Sequence, residues 1–62
     1  MSKKIIAKVH GKHYTYNVVE NSGVWSTKYD VYKDDKYLCT YKYRSDAVAR
    51  AHKEAGPGAY ES

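Results

Sequence analysis

Phenylalanine is absent from the 62 residues, cysteine occurs once, and no apolar run approaches the length of a membrane span. Without phenylalanine, the aromatic part of a core must come from tyrosine and from Trp25. Both side chains carry a polar group that seeks a partner or water when the ring is buried. That favours a sheet with one dry and one wet face over a sealed apolar interior. The single Cys39 rules out an intrachain disulfide, which fits a reducing, cytoplasmic setting. A bilayer span needs roughly 18 to 20 apolar residues, so no membrane partner is expected. Met1-Ser2-Lys3-Lys4 leads into an apolar stretch of only three residues, which is not the pattern of a signal peptide. No Gly-rich phosphate loop and no catalytic signature occur. The chain is therefore expected to be non-enzymatic, with no cofactor. Acidic residues are missing from the first 19 positions, where Lys3, Lys4, Lys8 and Lys12 stand unopposed in a chain of net charge +4.

What is abundant is tyrosine, eight residues, seven of them between Tyr14 and Tyr43 and interleaved with Lys, Thr, Val and His. Aromatic and β-branched residues favour strands. Four strand-like runs emerge: Ile5 to Val9, Tyr14 to Val19, Trp25 to Tyr32 and Tyr37 to Tyr43. They are separated by turn signals at His10-Gly11-Lys12-His13, Asn21-Ser22-Gly23 and Lys33-Asp34-Asp35-Lys36. Ser45 then reads as a helix N-cap with Asp46 as a first-turn acid, before Ala47, Val48, Ala49 and Ala51. Gly56 and Pro57 end the helix. The expected architecture is α+β: an antiparallel three- to four-stranded meander with one C-terminal helix packed on one face. One domain spans 1–55, and 56–62, lacking any periodic pattern, reads as a flexible tail. A domain this small buries only about 60% of its unfolded surface, so no deep cavity is expected.

The hairpins agree on an inner face. Two-residue turns at Gly11-Lys12, Asn21-Ser22 and Asp34-Asp35 place Val9 opposite Tyr14, Ala7 opposite Tyr16, Ile5 opposite Val18, Val18 opposite Trp25, Tyr14 opposite Tyr29, and Val31 opposite Leu38. One face then collects Ile5, Ala7, Val9, Tyr14, Tyr16, Val18, Trp25, Tyr29, Val31 and Leu38. Val48, Ala51, Ala55 and Ala47 form the matching helix stripe. Thr40 and Lys42 on the inner side suggest a bulge before Tyr43.

The opposite face carries Lys4, Lys8, His10, His13, Thr15, Asn17, Lys28, Tyr32, Tyr37, Cys39 and Tyr41. Lysines suit phosphates, Thr, Asn and His suit phosphates or base edges, and exposed tyrosines suit base stacking. The expected function is a small nucleic-acid-binding or regulatory module using this face, with DNA favoured over RNA. The alternative is an inhibitor or adaptor binding an acidic host protein, of the phage or mobile-element type, through the same face or an edge strand. His10, His13 and His52 fall short of a metal-ligand pattern. Cys39 has no base set beside it by any motif, and Asp34-Asp35 between two lysines reads as hairpin punctuation.

The run Tyr29-Asp30-Val31-Tyr32-Lys33-Asp34-Asp35-Lys36-Tyr37, followed by Tyr43-Arg44-Ser45-Asp46-Ala47 and Ala51, resembles a pattern of strand, acidic turn, strand, then a helix opening on aromatic-x-Ser/Thr and carrying alanines. Two groups share it: the plant ethylene-response-factor DNA-binding domain and the three-stranded amino-terminal domain of tyrosine-recombinase integrases. Short uncharacterised bacterial and phage proteins are similar too. The resemblance covers under half of the chain and implies a helix-backed sheet that binds the DNA major groove. By position it implies contacts from Lys28, Tyr32, Tyr37 and Tyr41. Those families are richer in Arg on the DNA-facing strands, where this chain has Asp30, Asp34 and Asp35.

Overall fold

The computed structural model describes residues 2–62; Met1, the first residue of the expected 1–55 domain, lies outside them. The described residues form an antiparallel sheet of β1 (Ser2–His10), β2 (Thr15–Ser22), β3 (Thr27–Lys33), β4 (Lys36–Tyr41) and β5 (Tyr60–Glu61), with α1 (Arg44–Ala55) packed across it. Strand order is β4-β3-β2-β1-β5. The chain thus meanders from β1 to β4, and α1 carries it back over one face to the far edge.

Each hairpin differs in detail from the simplest turn reading. Between β1 and β2 the Gly11 N–H donates to the Tyr14 carbonyl at 2.9 Å, closing a four-residue connection. Val9 therefore faces Tyr16 and Ala7 faces Val18. That slip of two residues preserves the inner face, because side chains alternate with period two. Glycine suits position 11, because a Cβ there would crowd the Tyr14 carbonyl at 3.0 Å and Ala55 Cβ at 3.1 Å. Between β2 and β3 the strands run on to Ser22 and Thr27, so Val31, not Trp25, faces Val18. Longer pairing adds ladder hydrogen bonds and joins two fully buried valines. The third turn does centre on Asp34-Asp35, with Lys33 opposite Lys36, and Asp34 takes the left-handed conformation at φ 54° that Asp tolerates. A register shift beyond Val31 brings Cys39, instead of Leu38, opposite it. The bulge thus falls at Leu38, not before Tyr43.

A second irregularity separates Ile5 from Ala7. The extra residue, Ile6, reverses the facing of everything before it. Ile6 packs against the core, while Ile5 is turned to the other side and is 51% exposed. Tyr14 precedes β2 and is 45% exposed, with Lys33 Nζ 3.9 Å above its ring. Trp25 sits in the β2–β3 turn and is 96% exposed. These three leave the expected core. Ala7, Val9, Tyr16, Val18 and Val31 are buried, with Tyr29 and Leu38 packed at the margin.

α1 begins after Tyr43, an extended residue with no side-chain cap, so Ser45 lies inside the first turn and is not the N-cap. Asp46 occupies the first turn and Lys53 the last, each sign suiting the helix dipole. Gly56 closes the helix by donating to the His52 carbonyl at 3.0 Å. Ala47 and Ala51 are fully buried, and Val48 and Ala55 flank them. Segment 56–62, expected as a flexible tail, supplies a fifth strand that periodicity does not announce. His10 pairs with Tyr60 and Val9 with Glu61, and Lys8 and Ser62 exchange backbone bonds of 2.8 and 3.3 Å. Two histidines hold this strand: His10 stacks on Tyr60 at 4.9 Å, and His52 Nε2 lies 3.4 Å from Glu61.

Val31→Ala removes two methyl groups from a site with no exposure. It should cost about 2 to 3 kcal/mol of a total on the order of 3 to 9 kcal/mol for a domain of this length. Trp25→Ala should change stability by less than about 0.5 kcal/mol. Urea unfolding of the two variants checks both, and equal losses would return Trp25 to the core.

Candidate nucleic-acid interface

Paired residues of an antiparallel sheet share a face, so the registers fix what lies opposite α1. One rung is Lys8, Asn17, Tyr32 and Tyr37; a second is Lys3, Asn21 and Lys28; a third is His10, Thr15 and Tyr60. Between the first two runs Ile5, Val19, Asp30 and Thr40. Of the residues singled out from sequence, Lys8, His10, Thr15, Asn17, Lys28, Tyr32 and Tyr37 gather on this open face. Lys4 and Tyr41 do not. They share a rung with Glu20 and Tyr29 on the helix side, because the Ile6 bulge reverses Lys4 and the Leu38 bulge reverses Tyr41. The same bulge turns Cys39 inward beside Val31. His13 lies in the β1–β2 connection, edge-on to Tyr14 at 6.4 Å.

Alternation alone does not place Lys3 and Tyr60 on this face. Lys3 reaches it only through the Ile6 bulge, and Ile5-Ile6 gives no sign of which isoleucine is the extra residue. Tyr60 reaches it only through β5, a strand two residues long. Tyr41 serves the helix side instead, where its hydroxyl accepts from Arg50 Nη1 at 3.2 Å while Arg50 Nε donates to Glu54 at 3.2 Å. The bond to Tyr41, with the nearby Glu54 carboxylate, holds the Arg50 guanidinium above its ordinary value. Arg50 is a fixed positive charge on the covered side.

The charges on the open face are sorted along its length. Lys3 and Lys28 occupy the rung nearest the β2–β3 turn, and Lys8 lies four residues along, about 13 Å away at strand spacing. Asp34 and Asp35 stand at the opposite end, where the Thr15 N–H donates to Asp34 Oδ1 at 3.3 Å and the Asp34 N–H to the Thr15 carbonyl at 2.8 Å. Asp30 lies between but is only 7% exposed. Thr40 donates to its carboxylate at 2.7 Å, and the Tyr37 hydroxyl meets Thr40 Oγ1 at 2.6 Å. This acid is occupied within the sheet, so the solvent-facing charge between the ends is that of the lysines.

A shallow groove of about 300 Å³ crosses the face, lined by Lys3, Ile5, Asn17, Val19, Tyr32, Asp34 and Asp35. Asn17 Oδ1 is enclosed there with no hydrogen-bond partner among the described residues. Tyr32 and Tyr37 meet edge-to-face at 5.7 Å. Among the described residues no group of three His, Cys, Asp or Glu is placed to hold a metal, and no helix is long and apolar enough to cross a membrane. The three histidines lie against separate partners: Tyr60 and Ser62, Tyr14, and Glu61. Comparison with protein-family models, with characterised proteins and with solved structures finds no match to this chain.

Thr40→Val would leave the Asp30 carboxylate nearly buried without its donor and should cost about 1 to 3 kcal/mol. Tyr37→Phe leaves the Thr40–Asp30 bond in place and should cost less than about 1 kcal/mol. Chemical denaturation of both variants measures the difference, and a harmless Thr40→Val would mean that water reaches Asp30.

Proposed function

We propose that the chain is a small, non-enzymatic nucleic-acid-binding module of the regulatory kind, and that it holds DNA, in preference to RNA, against the open face of its sheet. The observation that carries this reading is the register of β1 to β3, which gathers Lys3, Lys8 and Lys28 with Asn17, Thr15 and Tyr32 on the face that α1 leaves bare. Lysines spaced along such a face neutralise phosphates and release counterions. Asn and Thr between them have the donors and acceptors to meet base edges, and strands enter a major groove as helices do. The resemblance of residues 29–51 to helix-backed, three-stranded DNA-binding domains supports the same mode. Asp34 and Asp35 repel a phosphate backbone at one end and so limit how far along the sheet it lies.

A second reading, an acidic protein partner, is supported by the strip of Ile5, Val19 and Tyr32 within the groove. The two readings differ in mechanism. Phosphate binding weakens steeply with salt, whereas a contact anchored by apolar side chains is far less sensitive.

Replacing Lys3, Lys8 and Lys28 together by Gln should leave the fold intact and reduce the slope of log affinity against log salt. The reduction should be about 0.9 for each duplex phosphate that a lysine no longer neutralises. Replacing Arg50 and Lys53 on α1 should change that slope far less. Fluorescence anisotropy with labelled duplex DNA over a salt series gives both numbers. Equal weakening by the two sets would make the attraction diffuse and the sheet face irrelevant. Absence of binding at low salt would favour the protein partner.

A further inference from the structure

The β2–β3 turn displays the most exposed large hydrophobic side chains of the described residues. Trp25 is 96% and Val24 80% exposed, side by side at its tip. An isolated surface apolar residue needs no explanation, but a tryptophan and a valine held clear of the protein form a small patch. The tip is built tightly: the Gly23 N–H donates to the Ser26 carbonyl at 2.8 Å, and a Cβ on residue 23 would come within 3.0 Å of that carbonyl. Glycine thus closes the turn that carries the indole outward.

The surroundings are cationic. No acid occurs from Asn21 to Tyr29, and the next rung into the open face is Lys3, Asn21 and Lys28. A shallow pocket joins the two, lined by Asn21, Gly23, Val24, Trp25, Ser26 and Lys28. An apolar π face beside lysines suits a ligand that is anionic and also carries flat apolar faces. Nucleotides combine these properties, and bases stack on tryptophan whatever their identity. Bases inside a continuous duplex are already stacked, so the indole has access only to an unpaired one.

We infer that Trp25 is a base-stacking contact for an unpaired nucleotide next to DNA held on the open face, so that the substrate class is a duplex with a single-stranded extension or junction. This rests on the nucleic-acid reading above. Lys28 and Lys3 hold the phosphates at the boundary, and Trp25 covers the first free base beyond them.

Trp25 is the only tryptophan, so its emission reports this site alone. The experiment compares a short blunt duplex with the same duplex carrying a single-stranded extension, following labelled-DNA anisotropy and tryptophan emission at low salt. The extended duplex should bind roughly 5- to 100-fold more tightly and quench the emission, which the blunt duplex should leave unchanged. Trp25→Ala, at an exposed position, should abolish the preference while keeping blunt-duplex affinity. Equal binding of both DNAs with unquenched emission and a neutral Trp25→Ala would overturn the stacking contact and leave the sheet-face reading standing. Failure of wild type to bind either DNA would overturn both. A blue shift with anionic lipid vesicles, without quenching by DNA, would make the tip a membrane contact and overturn the inference.

Discussion

Ala47 and Ala51 present nothing beyond Cβ to the sheet, and both are fully buried. That close approach lets α1 cover the rung Ala7, Val18 and Val31 and the adjoining pair Val9 and Tyr16. Most of the apolar burial in the domain is made at this contact, where each valine contributes on the order of 1.5 to 3 kcal/mol by leaving water. Against a stability of only several kcal/mol for a chain this short, no alternative face can compete. The contact therefore decides which side of the sheet is sealed and, by the pleat, which side is bare. The lysines, tyrosines and asparagine of the open face owe their common orientation to valines that point the other way.

The sequence carries this sidedness well because it depends on parity. Val9, Tyr16, Val18 and Val31 alternate with polar residues, and the slips found in two hairpins are even, so the inner set survives with altered partners. The alanine stripe and the Gly56 terminus are equally legible. Bulges and turn lengths are what alternation cannot express. Ile6 and Leu38 each occupy one extra position, and nothing in their side chains distinguishes them from neighbours that keep the ladder. Through those two residues Lys4 and Tyr41 leave the open face and Lys3 joins it. Trp25 misled for a different reason. An aromatic residue beside β-branched neighbours reads as strand, but the pairing of Val18 with Val31 ends β2 at Ser22 and starts β3 at Thr27, which leaves Trp25 in the turn.

Different parts of the open face do different things. Asp30 is absorbed into the Thr40–Tyr37 network, so an acid in the middle of a basic surface acts structurally. Asp34 and Asp35 do two things at once, forming the tight turn between β3 and β4 and lining one end of the groove. Tyr60 joins the face because β5 closes over part of the β1 edge, held by His10 and His52 from either side. Lys3 and Lys28 lie nearest the β2–β3 turn, and Lys8 lies farther along the face.

The proposed binding surface is the bare side of the sheet, and not the helix side. Mapping backbone and side-chain resonances during titration with duplex DNA tests it most directly. Perturbations should concentrate at Lys3, Lys8, Asn17, Lys28 and Tyr32, with Arg50, Lys53 and their neighbours on α1 unmoved. Perturbations centred on α1, or spread evenly over both faces, would contradict it.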